Sequence, residues 1–242
     1  MIKIVIMVEA ILKNLRSDLA AHADEQAAAN SCRFFKEQVK PYGIKTALVS
    51  QIAKSHFKAI QPLDKRQIFD LCEELWASGY LEESFVACHW SYAVRDRYQP
   101  ADFSIFESWV ANYVSNWAAC DTLCNHTIGA FIEQYPKFIT NLKGWCSADQ
   151  RWMRRAAAVS LIVPARKGLF LADILDIAGH LLEDSDDLVR KGYGWMLKVA
   201  SQAHQPAVFK FVMANKARMP RTALRYAIEK MPPNLKQLAM QK

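Results

Sequence analysis

The sequence predicts an all-α fold, in the form of an α-solenoid of stacked helix pairs with a basic concave face. Apolar residues recur at i, i+3, i+4 and i+7 along the chain, which is the period of an amphipathic helix. Only 8 of the 242 residues are glycine, so few sharp turns are available for a β-sheet. The breaks in the apolar pattern divide the chain into helix pairs of about 35 to 45 residues, which is the period of α-solenoid repeats.

An apolar stripe near the start of the chain marks the first helix. It consists of Val8, Ile11, Leu12, Leu15 and Leu19. The same spacing returns in two later segments, namely Ile68, Leu71, Cys72, Leu75 and Trp76, and then Phe103, Phe106, Val110, Tyr113 and Val114. Each stripe predicts a helix that buries one face.

Three segments carry the start signals of helices. Asp64–Gln67 and Ser147–Gln150 resemble capping boxes, in which two side chains three residues apart satisfy backbone N–H groups. Ser185 precedes two acids, whose charge suits the positive end of a helix dipole. We expect breaks near Pro41–Gly43, Pro62, Gly79, Pro100, Pro136, Gly144, Pro164, Asp184, Pro206 and Pro220. These signals together predict about a dozen helices.

The chain is predicted to form a single domain over residues 1–242. No Gly/Ser linker or low-complexity stretch divides it, and stacked helix pairs share one continuous core. Residues 1–7 are the candidate for an N-terminal extension outside that core, because either Met1 or Met7 can begin the native chain.

The apolar runs are too short for a membrane protein. The longest of them, residues 156–165, is about half as long as a helix that spans a bilayer. Glu9 and Lys13 interrupt the apolar start of the chain before any small-residue cleavage site. We therefore expect no secretory signal, no membrane contact and a cytoplasmic location.

Six cysteines form no Cys-x-x-Cys pair, and most of them occupy apolar positions of helical patterns, as reduced thiols do. Cys120, Cys124 and His126 lie close in sequence, but no fourth ligand stands at finger-like spacing, so we expect no metal. The chain also lacks the glycine-rich phosphate loops, the Gly-x-Ser-x-Gly elbow and His-Glu-x-x-His. Enzymes driven by a nucleotide or a metal are disfavoured.

The positive charge is concentrated at the end of the chain. The net charge is +7, and residues 188–242 hold eleven Lys or Arg against one acid, Glu229. A polyanion is the natural partner of such a segment, although a merely solvated basic surface would give the same count.

Candidate functional residues are a carboxylate, two tryptophans and a set of arginines. Trp117 and Asp121 are four residues apart, so their side chains share one face of a helix. Arg154 and Arg155 follow in a second segment, and Trp195 follows in a third. Each signal has an ordinary alternative, because a helical Trp is usually core and a helical Asp is often a cap or a solvated group.

The three segments together resemble the DNA alkylation repair glycosylases built from HEAT-like repeats. The matching pieces are Trp117 with Asp121, Trp152-Met-Arg-Arg155-Ala-Ala157 and Lys191-Gly-Tyr-Gly-Trp195, supported by Gly43-Ile-Lys-Thr46 and Pro220-Arg-Thr-Ala-Leu-Arg225. The resemblance covers about residues 20 to 232. It implies excision of purines alkylated at N3 or N7 from double-stranded DNA, which leaves an abasic site.

The resemblance also implies roles for individual residues. Asp121 would be the catalytic carboxylate that stabilises the oxocarbenium ion, and Trp117, Trp195 and Phe34 would contact the lesion or its sugar. The phosphate contacts would be Arg154, Arg155, Arg190, Lys191, Arg221 and Arg225. No lysine nucleophile and no cofactor are implied, and we expect a monomer.

One position departs from the family pattern. Where members commonly carry Trp-Asp-Ser-Val-Asp, this chain has Ala118 in place of the first acid. Two alternatives remain, a non-catalytic relative that binds bent or branched DNA and a protein-binding scaffold. The central carboxylate argues against the first alternative, and the basic end of the chain argues against the second.

Overall fold

The computed structural model of the chain describes the backbone of residues 2–241 and the side chains of residues 9–241. Within this part the chain is helical apart from its turns and one isolated bridge between Lys40 and Tyr80, which confirms the all-α class. The prediction that residues 1–7 are an extension concerns side chains that lie outside the described residues. No helix among the described residues is both long enough and apolar enough to span a bilayer.

The chain divides into two compact units, residues 1–123 and residues 124–242. The first unit contains α1 (Ile2–Ala21), α2 (Glu25–Cys32), α3 (Thr46–Ile60), α4 (Lys65–Ala77), α5 (Leu81–Ala93), α6 (Phe103–Asn112) and α7 (Trp117–Leu123), with 3₁₀ turns at Arg95–Arg97 and Pro100–Asp102. The prediction of a single domain stays a prediction.

The second unit begins with a π-helical turn, Cys124–Ile128. It continues with α8 (Gly129–Gln134), a 3₁₀ turn (Pro136–Phe138), α9 (Ile139–Trp145), α10 (Arg151–Val159), α11 (Ile162–Arg166), α12 (Leu171–His180), α13 (Asp187–Asn215), α14 (Arg221–Ile228) and α15 (Pro233–Met240). The long helix α13 packs against α10, α11, α12 and α14, so it is the centre of this unit.

The predicted apolar stripes face the core of the first unit where their side chains are described, and the side chain of Val8 lies outside the described residues. All five residues of the second stripe are buried on α4, and Leu12, Leu15 and Leu19 are buried on α1. The third stripe lies on α6 and the turn after it, where the rings of Phe106 and Trp109 pack edge-on against Phe69 of α4. Helical periodicity therefore identified the buried faces correctly.

The start signals were correct in two of three places. Asp64 and Gln67 form a reciprocal capping box at α4, as predicted. Asp186 caps α13 by accepting from the N–H groups of two residues in its first turn. The capping box predicted at Ser147–Gln150 is wrong, because α10 begins only at Arg151 and its first turn has no side-chain cap.

Most predicted breaks fall between α-helices, but three of them lie inside α-helices. Gly144 is in the last turn of α9, and Pro164 is in the short helix α11. Pro206 lies within α13, which is kinked at His204, where φ is −133° and ψ is 49°. Because proline removes a backbone donor and clashes with the preceding turn, this kink is the break that the sequence signals.

Candidate functional site

Helix α7 presents both Trp117 and Asp121. The helix is capped by the buried Asn116, whose Oδ1 accepts from the backbone N–H of Ala119 at 2.9 Å. Asp121 follows Trp117 by one turn on the same side of the helix and is half-buried. Asn116 satisfies the start of α7 without an acid at position 118, so Ala118 does not leave the helix uncapped.

The ring of Trp117 is not part of the core. It is 36% exposed and stacks on Phe35, with ring centroids 5.4 Å apart and an interplanar angle of 24°. Phe34, which the sequence analysis proposed as the third aromatic of the site, is 78% exposed. Phe35 is the residue that sequence reasoning missed, because both residues lie in an irregular turn where no period distinguishes them.

In the second unit, two of the arginines proposed to contact phosphates bind the same residue, Asp184. Arg154 forms an ion pair with Asp184, with 2.7 Å between Nε and Oδ2, and donates to the carbonyls of Ala148 and Asp149. The Nε of Arg190 donates to the backbone carbonyl of Asp184 at 2.5 Å. These bonds join the loop before α10 to the loop before α13, and no sequence signal marked Asp184 as their centre.

Arg155 is buried between α10 and α13. It donates a hydrogen bond to the backbone carbonyl of Leu188, in the first turn of α13. Gly192 of α13 lies beside this side chain, and a Cβ there would lie 3.4 Å from both Cγ and Nη1 of Arg155, which is ordinary van der Waals contact. The first glycine of the Lys191–Trp195 segment therefore lies against this arginine, but the contact does not require a glycine.

The second glycine of the same segment serves the contact between α13 and α14. A Cβ at Gly194 would lie 2.8 Å from Cβ of Tyr226 and 2.9 Å from the carbonyl oxygen of Ala223. Lys191 forms an ion pair with Asp187 at 2.8 Å, and this hydrogen bond raises the pKa of the lysine. Trp195 follows on the same helix and is half-buried.

Arg221 and Arg225 are exposed and lie one turn apart on α14. Neither arginine has an ion pair with a carboxylate among the described side chains. The opposite face of the helix is buried and consists of Ala223, Leu224, Ala227 and Ile228. Of the proposed phosphate contacts, these two arginines are the most accessible to a ligand.

No group of three His, Cys, Asp or Glu side chains in the described part of the chain could hold a metal ion. Cys120 and Cys124, which the sequence analysis considered with His126, are buried, and Cys32 is the exposed one of the six free cysteines.

The sequence matches a family model described as "DNA alkylation repair enzyme" over residues 15–231. The chain belongs to this family. The matched span includes all ten residues proposed for the site and ends before α15. The resemblance seen in the sequence is confirmed, and the role of the protein lies in the repair of alkylated DNA.

The fold is also that of a solved structure from Enterococcus faecalis, titled "Predicted DNA alkylation repair enzyme". The TM-score is 0.78 at 15% sequence identity, and the match covers 88% of this chain and 98% of that one. At this identity the likeness shows a common all-α fold and no more. A comparison with curated proteins finds no match.

Proposed function

We propose that this DNA alkylation repair protein is a glycosylase that hydrolyses the N-glycosidic bond of purines alkylated at N3 or N7 in duplex DNA. The product is an abasic site. The observation that carries the proposal is the pair formed by Asp121 and the exposed ring of Trp117, one helical turn apart in a member of this family.

The chemistry suits a single carboxylate. A purine alkylated at N3 or N7 carries a positive charge and is already a good leaving group, so its departure needs little acid catalysis. The sugar develops oxocarbenium character as the bond breaks, and a nearby carboxylate stabilises this charge and orients the attacking water. Asp121 takes this role in the proposal.

Aromatic faces suit a cationic lesion. The ring quadrupole attracts a cation, and each such contact contributes about 0.5 to 2 kcal/mol. Trp117 supplies one exposed face, with Phe35 stacked on its other side, and the half-buried ring of Trp195 is the second aromatic contact in the proposal. The proposal therefore predicts that a neutral purine is a poor substrate, because it lacks the positive charge that attracts it to these rings.

The arginines divide into two kinds in this proposal. Arg221 and Arg225 bind phosphates directly, with Lys191 beside the same α13–α14 pair. For Arg155 the proposal requires the side chain, which is buried and donates to the carbonyl of Leu188, to turn towards a DNA phosphate near the lesion. Arg154 and Arg190 act mainly through Asp184, by fixing the loop before α13, the helix that carries Lys191. No cofactor takes part, and one copy of the chain suffices.

Release of free bases tests the activity. Methylated duplex DNA is incubated with the protein, and the supernatant is analysed by chromatography for N3-methyladenine and N7-methylguanine. The proposal predicts release of both bases without strand cleavage. DNA binding without any release of base would overturn it in favour of a non-catalytic DNA-binding relative.

A further inference from the structure

The turn after α2 combines an exposed ring with unpaired cations. Phe34 is 78% exposed, the largest exposure among the large apolar side chains that the structure describes. Arg33 and Lys36 on either side are exposed, and neither has an ion pair with a carboxylate among the described side chains. Residues 33–58 hold six Lys or Arg against one acid, although the first unit as a whole is acidic.

The backbone of this turn directs Phe34 away from the protein. The N–H groups of Arg33, Phe34 and Phe35 donate to the carbonyls three residues earlier, at 3.2, 3.0 and 3.2 Å. Such bonds have the 3₁₀ pattern, in which successive side chains point about 120° apart. Phe35 turns inward onto Trp117, and its neighbour therefore faces solvent.

Polar contacts rather than buried apolar side chains hold the helix α2, which precedes this turn. No residue of α2 is buried, but the backbone N–H of Asp24 donates to the carbonyl of Tyr42 at 3.0 Å. The buried carboxylate of Glu82 accepts from the N–H groups of Tyr42, Gly43 and Ile44 at 2.9, 2.9 and 3.0 Å. Gly43 has φ of +86°, and a Cβ there would lie 2.6 Å from the backbone nitrogen of Ala28.

We propose that Phe34 stacks on a base of the bound DNA while Arg33 and Lys36 pair with the phosphates beside that base. This inference rests on the proposed function, and it assigns to Phe34 a contact with undamaged DNA. An aromatic ring between cations fits a nucleic acid because every base offers a π-face and every nucleotide a negative charge. A protein partner of this positively charged turn would need an acidic surface, but that surface would not need to offer a flat face on which the ring of Phe34 stacks.

The test is binding of undamaged, fluorescently labelled oligonucleotides, measured by anisotropy with single strands and with duplexes. Phe34→Ala is expected to weaken binding of the single strand about tenfold, because a stacked base is lost. The loss on a duplex should be smaller, since a base step has to open before the ring can enter. Phe34→Trp should keep the affinity, and Phe34→Leu should lose it.

The salt dependence of DNA binding distinguishes the contribution of the Phe34 ring from that of the two cations. Arg33→Gln and Lys36→Gln should each lower the slope of log K against log salt by about 0.7 on single strands, whereas Phe34→Ala should leave the slope unchanged. Leu238→Ala, which alters an exposed apolar side chain on α15, is the matched control and should change neither quantity.

Three results would overturn the inference while leaving the glycosylase proposal intact. The first is that Phe34→Ala binds both kinds of DNA as tightly as the parent does. The second is that Phe34→Leu keeps full affinity. The third is that Phe34→Ala changes the sedimentation coefficient of the free protein but leaves its affinity for DNA unchanged. Failure of the parent protein to bind either kind of DNA would instead contradict the proposed function itself.

Discussion

At the level of single residues, the ring of Trp117 is stacked on the ring of Phe35. Trp117→Ala is expected to lower kcat/KM for excision of N7-methylguanine about two- to thirtyfold, because one cation–aromatic contact is lost. Phe35→Ala should cause a smaller loss, since the catalytic ring remains but loses its support. Phe35→Tyr keeps the stacked pair and serves as the control. Equal kcat/KM values for Trp117→Ala and the parent would show that this ring takes no part in the excision.

Some residue positions could be predicted from the sequence because they depend on local geometry. Trp117 and Asp121 share a helix face through their spacing alone. The same reasoning could not choose between Phe34 and Phe35, because they lie in a short turn after α2 that is not part of an amphipathic helix. It also could not find Asp184, whose contact with Arg154 joins residues 30 positions apart.

At the level of elements, Gly194 sets the distance between α13 and α14. Gly194→Ala is expected to lower the free energy of unfolding by about 1 to 3 kcal/mol, because the new methyl group overlaps Tyr226 and the backbone at Ala223. Chemical denaturation followed by circular dichroism measures the change.

The matched control is Gly179→Ala in α12, where an added Cβ meets no atom within 4 Å. This variant should be as stable as the parent or more stable by up to about 1 kcal/mol, because alanine favours a helix over glycine. Equal effects of the two substitutions would show that close helix packing at Gly194 does not determine stability.

Element boundaries were predictable where the signals are local and were missed where distant groups intervene. The capping box at Asp64 involves only residues within one turn, and it forms as predicted. The expected box at Ser147 does not form. Ser147 donates its N–H to Gly144 at the end of α9, and the carbonyls of the next two residues accept from Arg154.

At the level of the whole molecule, the two units differ in charge. Residues 1–123 contain 13 basic and 15 acidic residues, whereas residues 124–242 contain 18 and 9. Composition predicted this imbalance, but only the structure shows which cations are paired within the protein. Lys198, for example, is paired with Glu229 at 3.0 Å, whereas Arg221 and Arg225 have no such partner among the described side chains.

Buried thiols make the folded chain sensitive to alkaline pH. Burial raises the pKa of Cys146 from 9.0 to about 12, so the unfolded chain loses a proton in a pH range where the folded chain keeps it. Stability should therefore be retained below about pH 9 and should fall as the pH rises towards 12. Burial also raises the pKa of Cys72, Tyr42 and Tyr193.

Thermal unfolding between about pH 8 and 11 checks this prediction. Cys146→Ala should show a smaller decrease in Tm with pH than the parent does, whereas Cys32→Ala, which alters the exposed cysteine, should follow the parent. Identical pH dependence for Cys146→Ala and the parent would contradict the assignment to this thiol.

The central claim is that the carboxylate of Asp121 performs the excision. The most direct measurement is the single-turnover rate of abasic-site formation in a duplex with one N7-methylguanine, for the parent, Asp121→Asn and the exposed control Asp96→Asn. Asp121→Asn should be slower by about a hundredfold or more, with unchanged DNA affinity, because the stabilising charge is lost. The control should match the parent. A rate for Asp121→Asn within about threefold of the parent, well short of such an electrostatic effect, would contradict the account.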